Sequence, residues 1–261
     1  MKRYLFTALA LLILLTPGLT SCGGSPALSP DSEVKAAIVD QLYLLEPNQA
    51  FIDQTTEMLE SYGFKVDVWQ GEEVTVNFYR ELPRYGYKLI VLRAHSGILY
   101  YVENSEAVPM KTTYLFTGET YTIMKYVGEQ ITERVQNAQM TEDYPLVFVV
   151  NSQFITESMR GRFDNTAIIM MGCSSYYLDD MATAFVEKGA STYLGWNATV
   201  GLDYVDDATL NLIDNLCTKE MTMEEAIATT MTEVGRDPHY NTRLKYYPPQ
   251  SGSQTIRELI K

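Results

Sequence analysis

Two residues of this chain combine reactive side chains with a placement that suits chemistry. His95 follows the apolar run Tyr87 to Arg93 (YKLIVLR), and Cys173 follows Thr166 to Met171 (TAIIMM) and Gly172. Cysteine is the most nucleophilic side chain near neutral pH, and a nearby imidazole supplies or accepts the proton that acyl transfer needs. Gly172 permits a tight turn at the cysteine, and the amides beside it can point at a developing oxyanion. Taken singly, a cysteine after an apolar run is a buried small hydrophobe and a histidine beside a strand is a structural residue. Both at strand ends, each with Gly and Ser around it, favour the chemical reading.

The elements that must carry them follow from periodicity. Ala36-Ala37-Ile38-Val39 is a short continuous apolar run, as in a strand buried on both faces. Phe51, Thr55, Met58, Leu59 and Tyr62 recur at helical spacing and stop at Gly63, a C-cap. Lys65 to Gln70 alternates as a half-buried strand, and Tyr87 to Arg93 is the next buried one. Residues 98–118 predict a hairpin with Pro109 in its turn, Tyr121 to Ala138 a helix, and Leu146 to Val150 a strand. After the Thr166 to Met171 strand come a helix over 178–188 stopped by Gly189 and a strand at Ser191 to Leu194. A helix through Val205 to Leu216 follows, and another is opened by the capping box Thr222-Met223-Glu224-Glu225. Strands separated by helices imply parallel strands and a layered α/β sheet. In such a sheet ligands gather at the carboxyl ends of the strands, where His95 and Cys173 lie. The expected organisation is one domain over 33–247, with an insertion between the two reactive strands and a loosely ordered tail over 248–261.

The paired pattern, an apolar strand ending in His and a later one ending in Cys, resembles the clan CD cysteine peptidases, the group of caspases, legumains, clostripain and gingipains. The likeness covers most of residues 35–235 as architecture and two short motifs as sequence. Where the family has His-Gly this chain has His95-Ser96-Gly97, and Met171-Gly172 precedes the cysteine. The resemblance implies a three-layer sandwich with a mostly parallel, caspase-like central sheet. It also implies His95 as acid/base, Cys173 as nucleophile, and an oxyanion hole from the amides of Cys173 and of Ser96 or Gly97. In that family the segment after the next strand lines the pocket for the residue before the scissile bond; here it contains Trp196. Asp40, at the end of the first strand, stands where an arginine-specific member would carry an acid. Together Trp196 and Asp40 would suit cleavage after basic residues.

Other functions find less support. The 261 residues hold 20 Lys+Arg against 33 Asp+Glu, a formal charge of −13. That balance argues against nucleic acid, because no basic cluster exceeds Met159-Arg160-Gly161-Arg162. No P-loop and no G-x-G-x-x-G occurs, so nucleotide motifs are absent. Three cysteines without C-x-x-C and two histidines make no zinc set. Asp203, Asp206 and Asp207 could hold Ca²⁺, though carboxylates at a helix N-terminus explain them more simply. Cys217 reads as core and His239 as a turn residue.

The N-terminus reads as an address. Lys2 and Arg3 precede an apolar run, Tyr4 to Leu15, of secretory length, and Leu19-Thr20-Ser21-Cys22 resembles the bacterial lipobox. Residues 1–21 are then a signal peptide and Cys22 the lipidated residue. Residues 22–32 form a Gly/Ser/Pro tether. Loss of two basic and no acidic side chains takes the charge from −13 to −15. The sequence therefore predicts a membrane-anchored, extracytoplasmic cysteine peptidase acting on peptide or protein substrates. Its rival is a non-catalytic binding lipoprotein of the same fold, recognising partners through Tyr100, Tyr101, Tyr114 and Phe116 of the hairpin.

Overall fold

The structure is a computed structural model that describes residues 34–261. The expected signal peptide (1–21), lipidation site Cys22 and tether (22–32) lie outside the described residues. The strands are β1 (Lys35–Asp40), β2 (Lys65–Gln70), β3 (Tyr87–Arg93), β4 (Ser96–Glu103), β5 (Glu106–Thr120), β6 (Val135–Ala138), β7 (Val147–Asn151), β8 (Thr166–Met170), β9 (Ala190–Trp196) and β10 (Leu244–Tyr247). The helices are α1 (Gln49–Tyr62), α2 (Val76–Glu81), α3 (Val127–Ile131), α4 (Asp180–Glu187), α5 (Leu202–Ile213), α6 (Met223–Glu233) and α7 (Ile256–Leu259). The first sheet has six strands in the order β10-β9-β8-β3-β1-β2, and the second has four in the order β4-β5-β7-β6.

The six-stranded sheet is parallel except for β10, which runs antiparallel to β9. Its central strands alternate between two cores. Ala36, Ile38, Leu89, Val91, Ala167 and Ile169 point to the side carrying residues of α1, α5 and α6. Ala37, Val39, Ile90, Leu92, Ile168 and Met170 point to the side carrying residues of α2 and α4. Burial on both faces is why these strands read as unbroken apolar runs.

Local signals explain most boundaries. Asn48 Oδ1 accepts from the Phe51 amide to open α1, and Gly63 closes it at φ 110°, where a side chain would be strained. Thr222 and Glu225 close the expected capping box at α6.

Four features differ from the sequence reading. The hairpin turns at Asn104-Ser105, both at positive φ, rather than at Pro109, which sits in β5 opposite Tyr100. The insertion is a whole antiparallel sheet, because Val147–Asn151 pairs with β5 and β6 instead of joining the parallel sheet. Residues 121–138 form only the short α3 and then β6. Tyr126 and Glu133 take positive φ and interrupt the helix, and an extended segment buries Val135 opposite Val150. The tail after 248 is built in: Ile256, Leu259 and Ile260 are buried in the core beside α5 and α6, and the Met223 amide donates to Gln254 O.

Candidate active site

β3 and β8 are adjacent and in register, Leu92 beside Met170, so the residues that leave them meet at one edge of the sheet. The Met171 amide donates to Leu92 O at 2.9 Å, and the Ser96 hydroxyl donates to Cys173 O at 2.7 Å. The two reactive segments are thus tied together through their backbones. Gly172 is required by this closeness: a Cβ there would lie 2.5 Å from Ala94 O and nearer still to Ser96 Oγ. Beyond Cys173 the chain turns through Ser174 at φ 52°, a strained value for a residue with a side chain. The turn is fixed by Ser174 N–H to Ala198 O (2.9 Å), Tyr176 N–H to Trp196 O (2.8 Å) and Trp196 N–H to Ser175 Oγ (2.9 Å).

Cys173 is half-buried, and its Sγ lies 3.4 Å from Val200 O and 3.5 Å from Val200 N. Burial pushes the thiol up from its ordinary value, against the pull of the Val200 amide and its own. Asp237 pushes it further up. One wall of the space beside Cys173 is the hairpin (Ser96, Gly97, Ile98, Tyr100, Val108 to Lys111). The other is Ser174, Tyr177, Leu178, Ala198 and Thr199, and the cavity between them is about 750 Å³.

His95 occupies a different setting. Its amide donates to Gln41 Oε1 at 2.9 Å, and its ring centroid is 5.7 Å from that of Phe116. Burial lowers its pKa from the usual 6.5, and the Arg93 charge lowers it further. The ring is not among the groups lining the Cys173 cavity, although Ser96 and Gly97 next to it are. The segments meet, while the two side chains rest on separate surroundings. Of the amides around the turn, that of Ser174 is engaged by Ala198 O, and Ser96 and Gly97 belong to the β4–β5 ladder.

Two expected pocket residues are core instead. Trp196 is 1% exposed, packs edge-on against Tyr204 in the core beside α1, α5 and α6, and is not among the residues lining the cavity. An aromatic at a parallel strand end simply fills the layer. Asp40 is 0% exposed, and its Oδ1 accepts from Arg93 Nη1 at 2.8 Å. Asp206 is likewise withdrawn from any calcium role, because its carboxylate takes Arg93 Nε and Nη2, both at 2.8 Å. Asp203 and Asp207 stay exposed on α5, and the described residues contain no cluster of three metal-ligating side chains. Cys217 is buried and pushed up to about 12, a core thiol as read from sequence.

Two polar centres escaped the sequence. Arg93 joins β1, β3 and α5 through Asp40, Asp206 and the carbonyl of Glu46. An Arg ending a buried apolar strand was the available signal, since a charge there demands partners. Asp237 accepts from the amides of Gly201 (2.6 Å), His239 (2.8 Å) and Tyr240 (2.8 Å). Burial opposes its charge, but the three amides hold its carboxyl below the usual range. His239 thereby serves as a turn residue, as expected.

No family model matches the chain, and no curated protein is significantly similar to it.

Proposed function

We propose that the chain is a cysteine peptidase of the clan CD kind, lipid-anchored at Cys22 outside the cytoplasm, with Cys173 as nucleophile and His95 as acid/base. One observation carries this reading: a half-buried thiol at the carboxyl end of one parallel strand opens on a large cavity, with the histidine segment of the neighbouring strand bonded to its own carbonyl. A mostly parallel six-stranded sheet with helices on its faces agrees with the three-layer, caspase-like arrangement implied by the resemblance.

In the reaction, Sγ loses its proton to His95 and attacks the peptide carbonyl. The oxyanion is held by backbone amides at Cys173 and Ser96 or Gly97, and the imidazolium returns the proton to the departing amine. Water then hydrolyses the thioester, releasing the acid and restoring the thiol. Because His95 packs beside Phe116 and is not among the residues lining the cavity, this chemistry requires the ring to reach Cys173 when substrate binds. Apo geometry commonly tightens in this way. The case for cleavage after basic residues loses both of its supports, Asp40 and Trp196, to burial.

The same resting position of His95, with a thiol whose pKa burial raises, favours one rival: a binding lipoprotein that retains the cleft without the reaction. A peptide-library cleavage assay on the full chain in detergent, beside Cys173→Ala and His95→Ala, decides between them. The expected result is cleavage by the wild type and its loss, on the order of 10³-fold or more, in both variants. Intact peptides with every variant, including the wild type, would establish the rival.

A further inference from the structure

The cavity at Cys173 has a feature that the reaction does not use. One of its walls is the hairpin, whose outer strand β4 pairs with β5 on one side and, among the described residues, with no strand on the other. No backbone group of residues 96–103 bonds to a described residue outside that ladder. Such an edge accepts an added strand, with main-chain bonds supplying affinity and alternate side chains entering pockets. β4 begins at Ser96, whose hydroxyl holds Cys173 O, so a strand laid along it leads to the Cys173 segment. The strand is irregular between Ile98 and Tyr100, which limits how far regular pairing extends.

The walls are mostly apolar: Ile98, Tyr100, Met110, Tyr177 and Leu178. Tyr100 is 65% exposed and Tyr177 63%, large apolar surfaces that a bound segment would cover. Among the described residues lining the cavity, Lys111 is the one charged side chain; no carboxylate joins it. Lys111 is exposed and makes no ion pair with a described residue. Among the lining residues a cationic segment would find no carboxylate, and an anionic one would find Lys111.

We propose that the β4 edge and this cavity bind an extended peptide with apolar or aromatic side chains and one carboxylate, which pairs with Lys111. This rests on the peptidase reading for its purpose, since it names the substrate class of that site, but its geometry stands apart from the chemistry. It also reverses the basic preference that the sequence suggested.

The test measures binding and cleavage separately. Full-length Cys173→Ala protein in detergent is titrated by fluorescence anisotropy with labelled ten-residue peptides rich in Leu, Val and Phe. One carries a central Glu, one a central Lys, and one is the Glu peptide with alternate backbone nitrogens methylated. The Glu peptide should bind about tenfold tighter than the Lys peptide, and methylation should weaken it by about tenfold. Lys111→Glu should reverse the order of the first two, and Lys111→Ala should remove most of the difference. Equal affinity for Glu and Lys peptides, indifference to Lys111→Glu, or full binding of the methylated peptide each overturns the proposal. Wild-type protein is then given the same peptides. Selective binding without cleavage overturns the peptidase reading alone, whereas cleavage indifferent to Lys111 overturns the proposed groove alone.

Discussion

The carboxyl edge of the six-stranded sheet has two neighbouring gaps, and they are used in opposite ways. Between β1 and β3 the strand order reverses, the position where open α/β sheets ordinarily take ligands. Here that gap is closed by Arg93, 1% exposed, clamped between Asp40 and Asp206. One strand over, between β3 and β8, the gap is open, and Cys173 looks into a cavity of about 750 Å³. The closed gap anchors β3, the strand from which His95 emerges, while the open gap holds Cys173. Charge buried at one place makes a rigid platform; a small, half-buried thiol at the next leaves room for a ligand.

The largest effect should come from breaking the closed gap. Arg93→Ala leaves two carboxylates buried without their counter-charge and should destabilise the protein by about 3–5 kcal/mol in urea unfolding. Cys173→Ala, at the open gap, should cost on the order of 1 kcal/mol or less while removing cleavage. If the two variants unfold alike, the division into platform and site is wrong. Trp196→Ala sharpens the same contrast. A fully buried aromatic lost from the core should cost about 3–5 kcal/mol. Peptide preference in whatever remains folded should not change, contrary to a pocket role. A shift in preference at unchanged stability would restore Trp196 to the cleft.

A smaller contrast separates the thiols. Both are pushed upward, but Cys217 is 3% exposed and pushed to about 12, whereas Cys173 is half-buried beside a cavity. Alkylation requires an accessible thiolate, so iodoacetamide at pH 8 should modify Cys173 roughly 100-fold faster than Cys217, as read by mass spectrometry of the separate peptides. Equal rates, accelerated together by denaturant, would mean that the cavity does not admit even a small reagent.

How far the sequence foretold this depended on the range of the forces involved. Strand and helix signals that act within a few residues were legible: Tyr87–Arg93 is a strand over its expected span, and Gly63 and Gly189 both take positive φ where helices were expected to stop. The reactive strand ends were legible too, because buried parallel strands announce themselves as apolar runs. Long-range pairing was not. Val147–Asn151 has the same apolar look as the parallel strands, and only its partners β5 and β6 show that it belongs elsewhere. Ile123, Val127 and Ile131 have helical spacing yet are exposed, so their pattern misled over 121–138. Asp40 and Trp196 failed for a related reason. Sequence places them at strand ends, but which side of the sheet a side chain faces depends on neighbours more than 50 residues away, such as Arg93 for Asp40.

The subtlest test concerns the charge inside the closed gap. Asp206 meets Arg93 with both oxygens, whereas Asp40 uses one, and its buried Oδ2 makes no hydrogen bond within normal geometry to a described residue, Gln70 being the side chain beside it. Asp206 thus balances the guanidinium and Asp40 is the surplus acid. Burial raises the Asp40 carboxyl above its ordinary 3.8 despite the attraction of Arg93, with Asp206 adding to the rise. The sign follows from linkage. A carboxyl whose folded pKa is raised holds its proton more firmly in the folded state. Its stabilising contribution is therefore complete below about 3.8 and is lost as pH climbs through the raised value. Asp40→Asn keeps the shape and cannot ionise, so it escapes that loss. Urea midpoints of wild type and Asp40→Asn, compared from pH 3.5 to 8, should drift in favour of the variant as pH rises and level off once Asp40 is ionised. A gap that stays constant would mean that Asp40 does not titrate in this window, and one that moves toward the wild type would make Asp40 a needed counter-ion of Arg93.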